Sequence, residues 1–216
     1  MDVADFFDAE YASKSRYWWS DKDPYAPDAD SYTTSLLTQL TLRHIEGRPA
    51  GRMLDLGAGE GADSIRLALR GYNVDAVEIS RVGASKISTF AEEAGVNINV
   101  KQADIVNYEP EGQYDLVICN GVLQYIDDKK SVVERMQAAT RSSGLHVISL
   151  WSTYTPVPEC HLVVPVYCDD EDGTIAKLYE SWTKEVYYFE RGKPESSHSG
   201  MPDHSHSHIK MIARKP

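Results

Sequence analysis

Between residues 53 and 150, short apolar runs alternate with stretches of helical pattern, and that alternation leaves few folds open to the chain. Apolar runs at 53–56, 72–79, 98–102, 114–119 and 145–150 are separated by helix-patterned segments at 63–69, 85–94 and 132–140, with Gly71, Gly95 and Gly144 at the stops. Glycine closes a helix cheaply because the position past the end is often left-handed. Strands joined by helices lie parallel, since a parallel pair needs a long crossover connection. The expected class is α/β, a Rossmann-like sheet with helices on both faces.

After residue 150 the pattern changes. Residues 152–165 contain three prolines and no helical period, 174–182 reads as a helix, and 185–189 and 206–213 read as strands. The stretch joining those strands, 190–203, is rich in Gly, Pro, Ser and Glu and reads as a polar loop. A helix at 31–43 is expected ahead of the sheet. With 216 residues, 42% of them apolar, the chain can bury one full core. We expect a single domain over 1–216: a helical cap or lid at 1–50, a ligand-binding core at 51–151, and a substrate-side insertion with the closing strands at 152–216.

Twenty-two Lys and Arg against 33 Asp and Glu give a net charge of −11. That balance repels a phosphate backbone, and no basic patch offsets it, so no nucleic-acid partner is expected. No apolar stretch is long enough to cross a bilayer, and residues 1–10 carry four acids and no base, unlike a secretory signal. The expectation is a cytoplasmic protein, monomer or homodimer, without a membrane partner. Cys119, Cys160 and Cys168 lack CxxC spacing and are expected as reduced thiols.

The most informative motif is Asp55-Leu56-Gly57-Ala58-Gly59-Glu60-Gly61, set between an expected strand and an expected helix. Glycines there let the backbone turn and approach a ligand, and the helix start offers unpaired N–H groups. Gly57-x-Gly59-x-x-Ala62 also satisfies a dinucleotide fingerprint. Asp55, however, would oppose a pyrophosphate and favour a ligand carrying an ammonium group. Glu78 ends the second strand, where a carboxylate can accept both hydroxyls of a ribose. Asp104 follows the third strand and can accept from an adenine amino group, with Ile79 and Ile105 against the ring faces. Asn120 ends the fourth strand. In an open parallel sheet ligands collect at this carboxyl edge.

Together these residues resemble the class I S-adenosylmethionine-dependent methyltransferases over residues 52–150. The resemblance implies a seven-stranded sheet with an antiparallel hairpin at one edge and S-adenosyl-L-methionine as cofactor. Residues 55–61 would hold its methionyl part, Glu78 its ribose, and Asp104 and Ile105 its adenine. Beyond residue 150 the chain resembles the tellurite-resistance methyltransferases: a Pro-rich stretch at 156–165, then Leu178-Tyr179-Glu180-Ser181-Trp182, and a closing Ile212-Ala213-Arg214-Lys215. That narrower likeness implies tellurite or another chalcogen oxyanion as acceptor. The same scaffold also serves O-, N- or S-methylation of small metabolites and natural products.

Methyl transfer from a sulfonium needs the nucleophile lined up behind the methyl carbon, and a base only if the acceptor arrives protonated. Tyr125, in the stretch after Asn120, either shapes the acceptor pocket or begins a packed helix with Val122 and Leu123. His204, His206 and His208 occupy alternate positions and would share one face of a strand. His206 and His208 are the candidates for a base. His161 and His204 are candidates for substrate contact, as are Trp18 and Trp19 among N-terminal aromatics that include Phe6, Phe7 and Tyr11. Ligands for a transition ion are a further reading of these histidines and a polar hairpin face in water the plainer one, and no resident metal is expected. Two other classes fit the loop: an NAD-dependent oxidoreductase, and a non-catalytic protein that binds the cofactor without turning it over.

Overall fold

Parallel strands buried on both faces are written as continuous apolar runs, and the first strand, β1 (Arg52–Leu56), is buried along all but its first residue. The computed structural model describes residues 1–16, 36–195 and 203–216, without the side chains of Cys160 and Glu195. The helices and strands run α1 (Val3–Ala12), α2 (Leu36–Ile45), β1, α3 (Ala62–Ala68), β2 (Asn73–Glu78), α4 (Arg81–Glu93), β3 (Ile98–Gln102), β4 (Tyr114–Asn120), α5 (Lys129–Ala138), β5 (Thr140–Trp151), α6 (Thr174–Leu178), β6 (Thr183–Glu195) and β7 (His204–Arg214). Among the described residues there are also short 3₁₀ turns at Leu123–Tyr125 and Glu159–His161.

One seven-stranded sheet has the order β3-β2-β1-β4-β5-β7-β6. The first five strands are parallel, and β7 runs antiparallel between β5 and β6. The order reverses between β1 and β4, which opens a crevice at their carboxyl ends. One face of the sheet packs Met53, Leu116, Val147 and Ile212 with Leu37 and Ile45 of α2. The other packs Leu54, Val117, Ile148 and Met211 with α5 and Tyr179. Among the described residues no helix is long and apolar enough to cross a membrane, and Cys119 and Cys168 are free thiols.

Several expected boundaries move. Helix α4 starts at Arg81, four residues earlier than expected, because the Ser80 hydroxyl accepts from the Gly83 N–H and caps it. Asp128 does the same for α5 through the Ser131 N–H. The helix expected at 174–182 ends at Leu178. The largest correction concerns the polar loop at 190–203, much of which is strand: β6 continues to Glu195 and β7 begins at His204. Pro194 is tolerated because β6 is the edge strand, and Gly192, with φ 59°, takes up an irregularity between Glu190 and Lys193. Of the helix expected at 31–43, the described part is α2. Trp18 and Trp19 lie outside the described residues.

Candidate active site

The loop after β1 turns at Gly57, whose φ is 71°. A Cβ on Gly57 would stand 2.3 Å from Cγ2 of Val122, so only glycine allows the approach. The Gly57 and Ala58 N–H groups donate to the Val77 carbonyl at 2.8 and 3.0 Å, which ties the loop to β2. Glu78 clamps it further: Oε2 accepts from the Gly59 N–H at 2.7 Å and Oε1 from the Ser80 N–H at 2.8 Å. Each oxygen keeps a lone pair for another donor. Burial pushes the Glu78 pKa up to about 7, against the lowering effect of those backbone donors.

Asp55 is buried and accepts from the Ser64 hydroxyl at 2.6 Å. Burial first, then the neighbouring Asp63 and Glu78 charges, push its pKa up to about 7. Asp63 accepts from the Thr38 hydroxyl at 2.9 Å and from Asn120 Nδ2 at 3.2 Å, and Asn120 Oδ1 accepts from the Ser149 hydroxyl at 2.5 Å. A polar chain thus crosses the ends of β4 and β5 and meets two carboxylates whose mutual repulsion a cation would relieve.

These groups open into a cavity of about 510 Å³, of ordinary size for a small-molecule site. Asp55, Gly57, Ala58, Gly59, Glu78, Ile79, Asp104, Ile105 and Asn120 border it, as expected from strand ends. Gly61 does not; it caps α3 with φ 84°, against Ile87. The same cavity is bounded as well by Phe6 and Phe7 of α1, Tyr125, Trp151, His161, His208 and Lys210. The Tyr125 ring meets those of Phe7 and Trp151 edge-on, at 5.3 and 5.9 Å between centroids. Leu123, two residues before it, is core. His208 Nδ1 stands 4.0 Å from a Glu190 oxygen that Lys210 Nζ also holds, at 2.6 Å. His204 and His206 do not border the cavity. The His206 ring stacks on Trp151 with centroids 3.9 Å apart, facing His161 and His204.

Sequence reasoning missed Asp63, Ser149, Trp151 and Lys210. The carboxyl-edge rule, carried from the fourth strand to the fifth, reaches Ser149 and Trp151, and the alternation of His204, His206 and His208 continues to Lys210. Asp63 reads as an ordinary acid in a first helical turn.

A family model described as "Tellurite resistance protein TehB" matches residues 30–211. The chain belongs to this family. Among solved structures, TehB from Haemophilus influenzae superimposes on this TehB-family chain with a TM-score of 0.75 at 21% identity, covering 88% of this chain and 66% of that one. The N-methyltransferase NodS from Bradyrhizobium japonicum, in complex with S-adenosyl-L-homocysteine, gives a TM-score of 0.68 at 16% identity, with both chains covered in full. The fold is therefore the expected methyltransferase sheet. Curated relatives include proteins named ubiquinone biosynthesis O-methyltransferase. That from Marinobacter nauticus is 29% identical over 183 residues, 82% of this chain and 73% of its own length. That from Rickettsia akari is 26% identical over 147 residues, 65% of this chain and 57% of its own. The chain thus matches little more than half the length of the latter.

Proposed function

We propose that this chain transfers a methyl group from S-adenosylmethionine to a small anionic acceptor, with tellurite or a related chalcogen oxyanion as the preferred class. The observation that carries the reading is a single cavity bordered both by the acids Asp55, Asp63 and Glu78 and by His161, His208 and Lys210 with the rings of Phe7, Tyr125 and Trp151. Bound there, the cofactor supplies a methyl carbon on a positively charged sulfur. Asp55 and Asp63 offer negative charge to its cationic groups, and Glu78 accepts from its ribose hydroxyls. Asp104 accepts from the adenine amino group between Ile79 and Ile105, and the Gly57–Gly59 backbone gives it room. Tyr125 and Trp151 shape the acceptor end and exclude water. The Lys210 ammonium draws an anion to that end, and His208, on the same wall, is the candidate to take a proton from a protonated acceptor.

Buried acids beside a glycine loop argue against an NAD-dependent oxidoreductase, because a pyrophosphate would meet Asp55. A second acceptor class, a planar phenol methylated on oxygen, is favoured by the Phe7, Tyr125 and Trp151 wall and by the names of the curated relatives. The test is to follow S-adenosylhomocysteine formation with tellurite, selenite and a catechol, beside a titration of the protein with S-adenosylhomocysteine. Turnover with a chalcogen oxyanion supports the first class and turnover with the catechol the second. Cofactor binding without turnover on any of them leaves a non-catalytic binder. No binding in natural chain and Glu78→Ala alike sinks the proposal.

A further inference from the structure

Behind the acceptor wall three imidazoles converge. His204 and His206 share one face of β7, two residues apart, and His161 arrives from the 3₁₀ turn that follows Pro158. Nε2 of His161 lies 3.0 Å from Nε2 of His204 and 3.3 Å from Nε2 of His206, and the three ligand atoms all fall within 4.8 Å of one another. We propose that His161, His204 and His206 bind a divalent transition ion of the zinc class through their Nε2 atoms, beside the acceptor end of the cavity.

Distance is the first argument. Zinc–nitrogen bonds of 2.0–2.1 Å in a tetrahedron set neighbouring nitrogens about 3.3 Å apart, and two of the three separations stand near that value. Proton arithmetic is the second. Each imidazole nitrogen offers one proton or one lone pair, never both. If Nε2 of His161 carries the proton, His204 and His206 aim two lone pairs at it; if it does not, two N–H groups aim at one lone pair. A cation takes a lone pair from all three nitrogens at once.

Preorganisation is the third. Trp151 stacks flat on His206, with an interplanar angle of 10°, and meets His161 edge-on at 5.1 Å, so packing holds the rings. The segment carrying His161 is fastened to β7 through the Ser152 N–H on the Ser207 carbonyl at 2.7 Å and the Thr155–Ser207 hydroxyl pair at 2.6 Å. Three imidazoles suit Zn²⁺, Co²⁺ or Ni²⁺, and three protein nitrogens keep a position for water or an oxygen ligand. His161 borders the cavity, so a bound ion fixes part of the acceptor wall.

The test uses the natural chain with no added polyhistidine, stripped by a chelator and titrated with Co²⁺, whose visible bands report tetrahedral nitrogen ligation. One Co²⁺ per chain should bind and be displaced by Zn²⁺. His206→Phe keeps the ring on Trp151 and removes the ligand atom, and half-buried His204→Ala removes another; each should weaken Co²⁺ binding by about 100-fold. Zn²⁺ should raise the Tm of the natural chain and not of either variant. Absent Co²⁺ bands, or bands equally strong in both variants, overturn the site. S-adenosylhomocysteine titration of the same samples reports the cofactor half alone, so failure of the methyl-transfer reading and failure of the metal site are told apart.

Discussion

Glu78 ends β2 with its carboxylate out of water, and two backbone donors offset only part of what burial costs its charged form. With its pKa raised from 4.5 to about 7, the folded protein keeps a proton that the unfolded chain releases. Its contribution to stability is therefore complete below about pH 4.5, falls as pH rises, and is gone above about pH 7, a difference on the order of 3 kcal/mol. Ribose hydroxyls donate to the ionised form and a cation favours ionised Asp55, so cofactor binding should expel protons. We predict that S-adenosylhomocysteine affinity rises up to tenfold per pH unit for each proton expelled, hence by up to about a hundredfold per unit if both carboxyls ionise, between about pH 5.5 and 7, and then levels off. Calorimetry in two buffers of different ionisation enthalpy measures the protons, and proton uptake on binding would refute the assignment. Asp55 and Glu78 were legible in the sequence because a strand end beside a glycine loop is a position with a known use. His146 was not: it sits in β5, yet lies buried between the Thr140 hydroxyl and the Tyr179 hydroxyl, and burial brings its pKa down to about 3. Only the far partner, Tyr179, explains it, and sequence spacing does not reveal a contact of that kind.

Among the elements, α1 depends on α4 for its place. Asp8 Oδ1 accepts from the Ser80 hydroxyl at 2.5 Å and from the Val82 N–H at 3.0 Å, and Lys86 Nζ donates to the carbonyls of Tyr11 and Lys14 and to buried Glu60 in the glycine loop. The Ser80 hydroxyl, before any other cause, holds the Asp8 carboxyl below its ordinary pKa. Helix α1 in turn lays Phe6, Phe7 and Tyr11 over the cavity. If α1 closes over bound cofactor, loosening its latch should speed ligand escape. Asp8→Ala removes a helix-end acceptor worth about 1 kcal/mol, so S-adenosylhomocysteine dissociation should quicken about fivefold. Hydrogen exchange should rise over residues 3–12, and an unchanged off-rate in stopped flow would show that α1 is a fixed wall instead. Core strands were readable because an unbroken apolar run has one comfortable place in a parallel sheet. The part of edge strand β6 beyond Phe189 was not, because Gly192 and Pro194 are turn residues everywhere except at an edge irregularity, and edges are set by the whole sheet.

Across the whole molecule, the lining of the cavity comes from two parts of the sheet. The carboxyl ends of β1 to β4 carry the residues proposed to hold the cofactor, and β5 with β7 carries Ser149, Trp151, His208 and Lys210. The alternation of runs and helices reveals the first part, and the family resemblance implied an antiparallel hairpin at one edge; the reversal that seats β7 between β5 and β6 is read from the structure. That reversal makes the last strand of the chain an interior one. Ile209, Met211 and Ala213 fill one core and Ile212 the other, while both edges of β7 are hydrogen-bonded. A chain cut after residue 203 would leave β5 as a long apolar edge and strip two cores at once, which invites pairing with other chains. Such a truncation should lose its cooperative thermal transition and its near-ultraviolet signal and should aggregate, while Met211→Ala in the full chain should cost about 2–5 kcal/mol and still fold. A truncated protein that melts cooperatively and still binds S-adenosylhomocysteine would mean that β1 to β5 form a self-sufficient unit, with β7 serving only the acceptor wall.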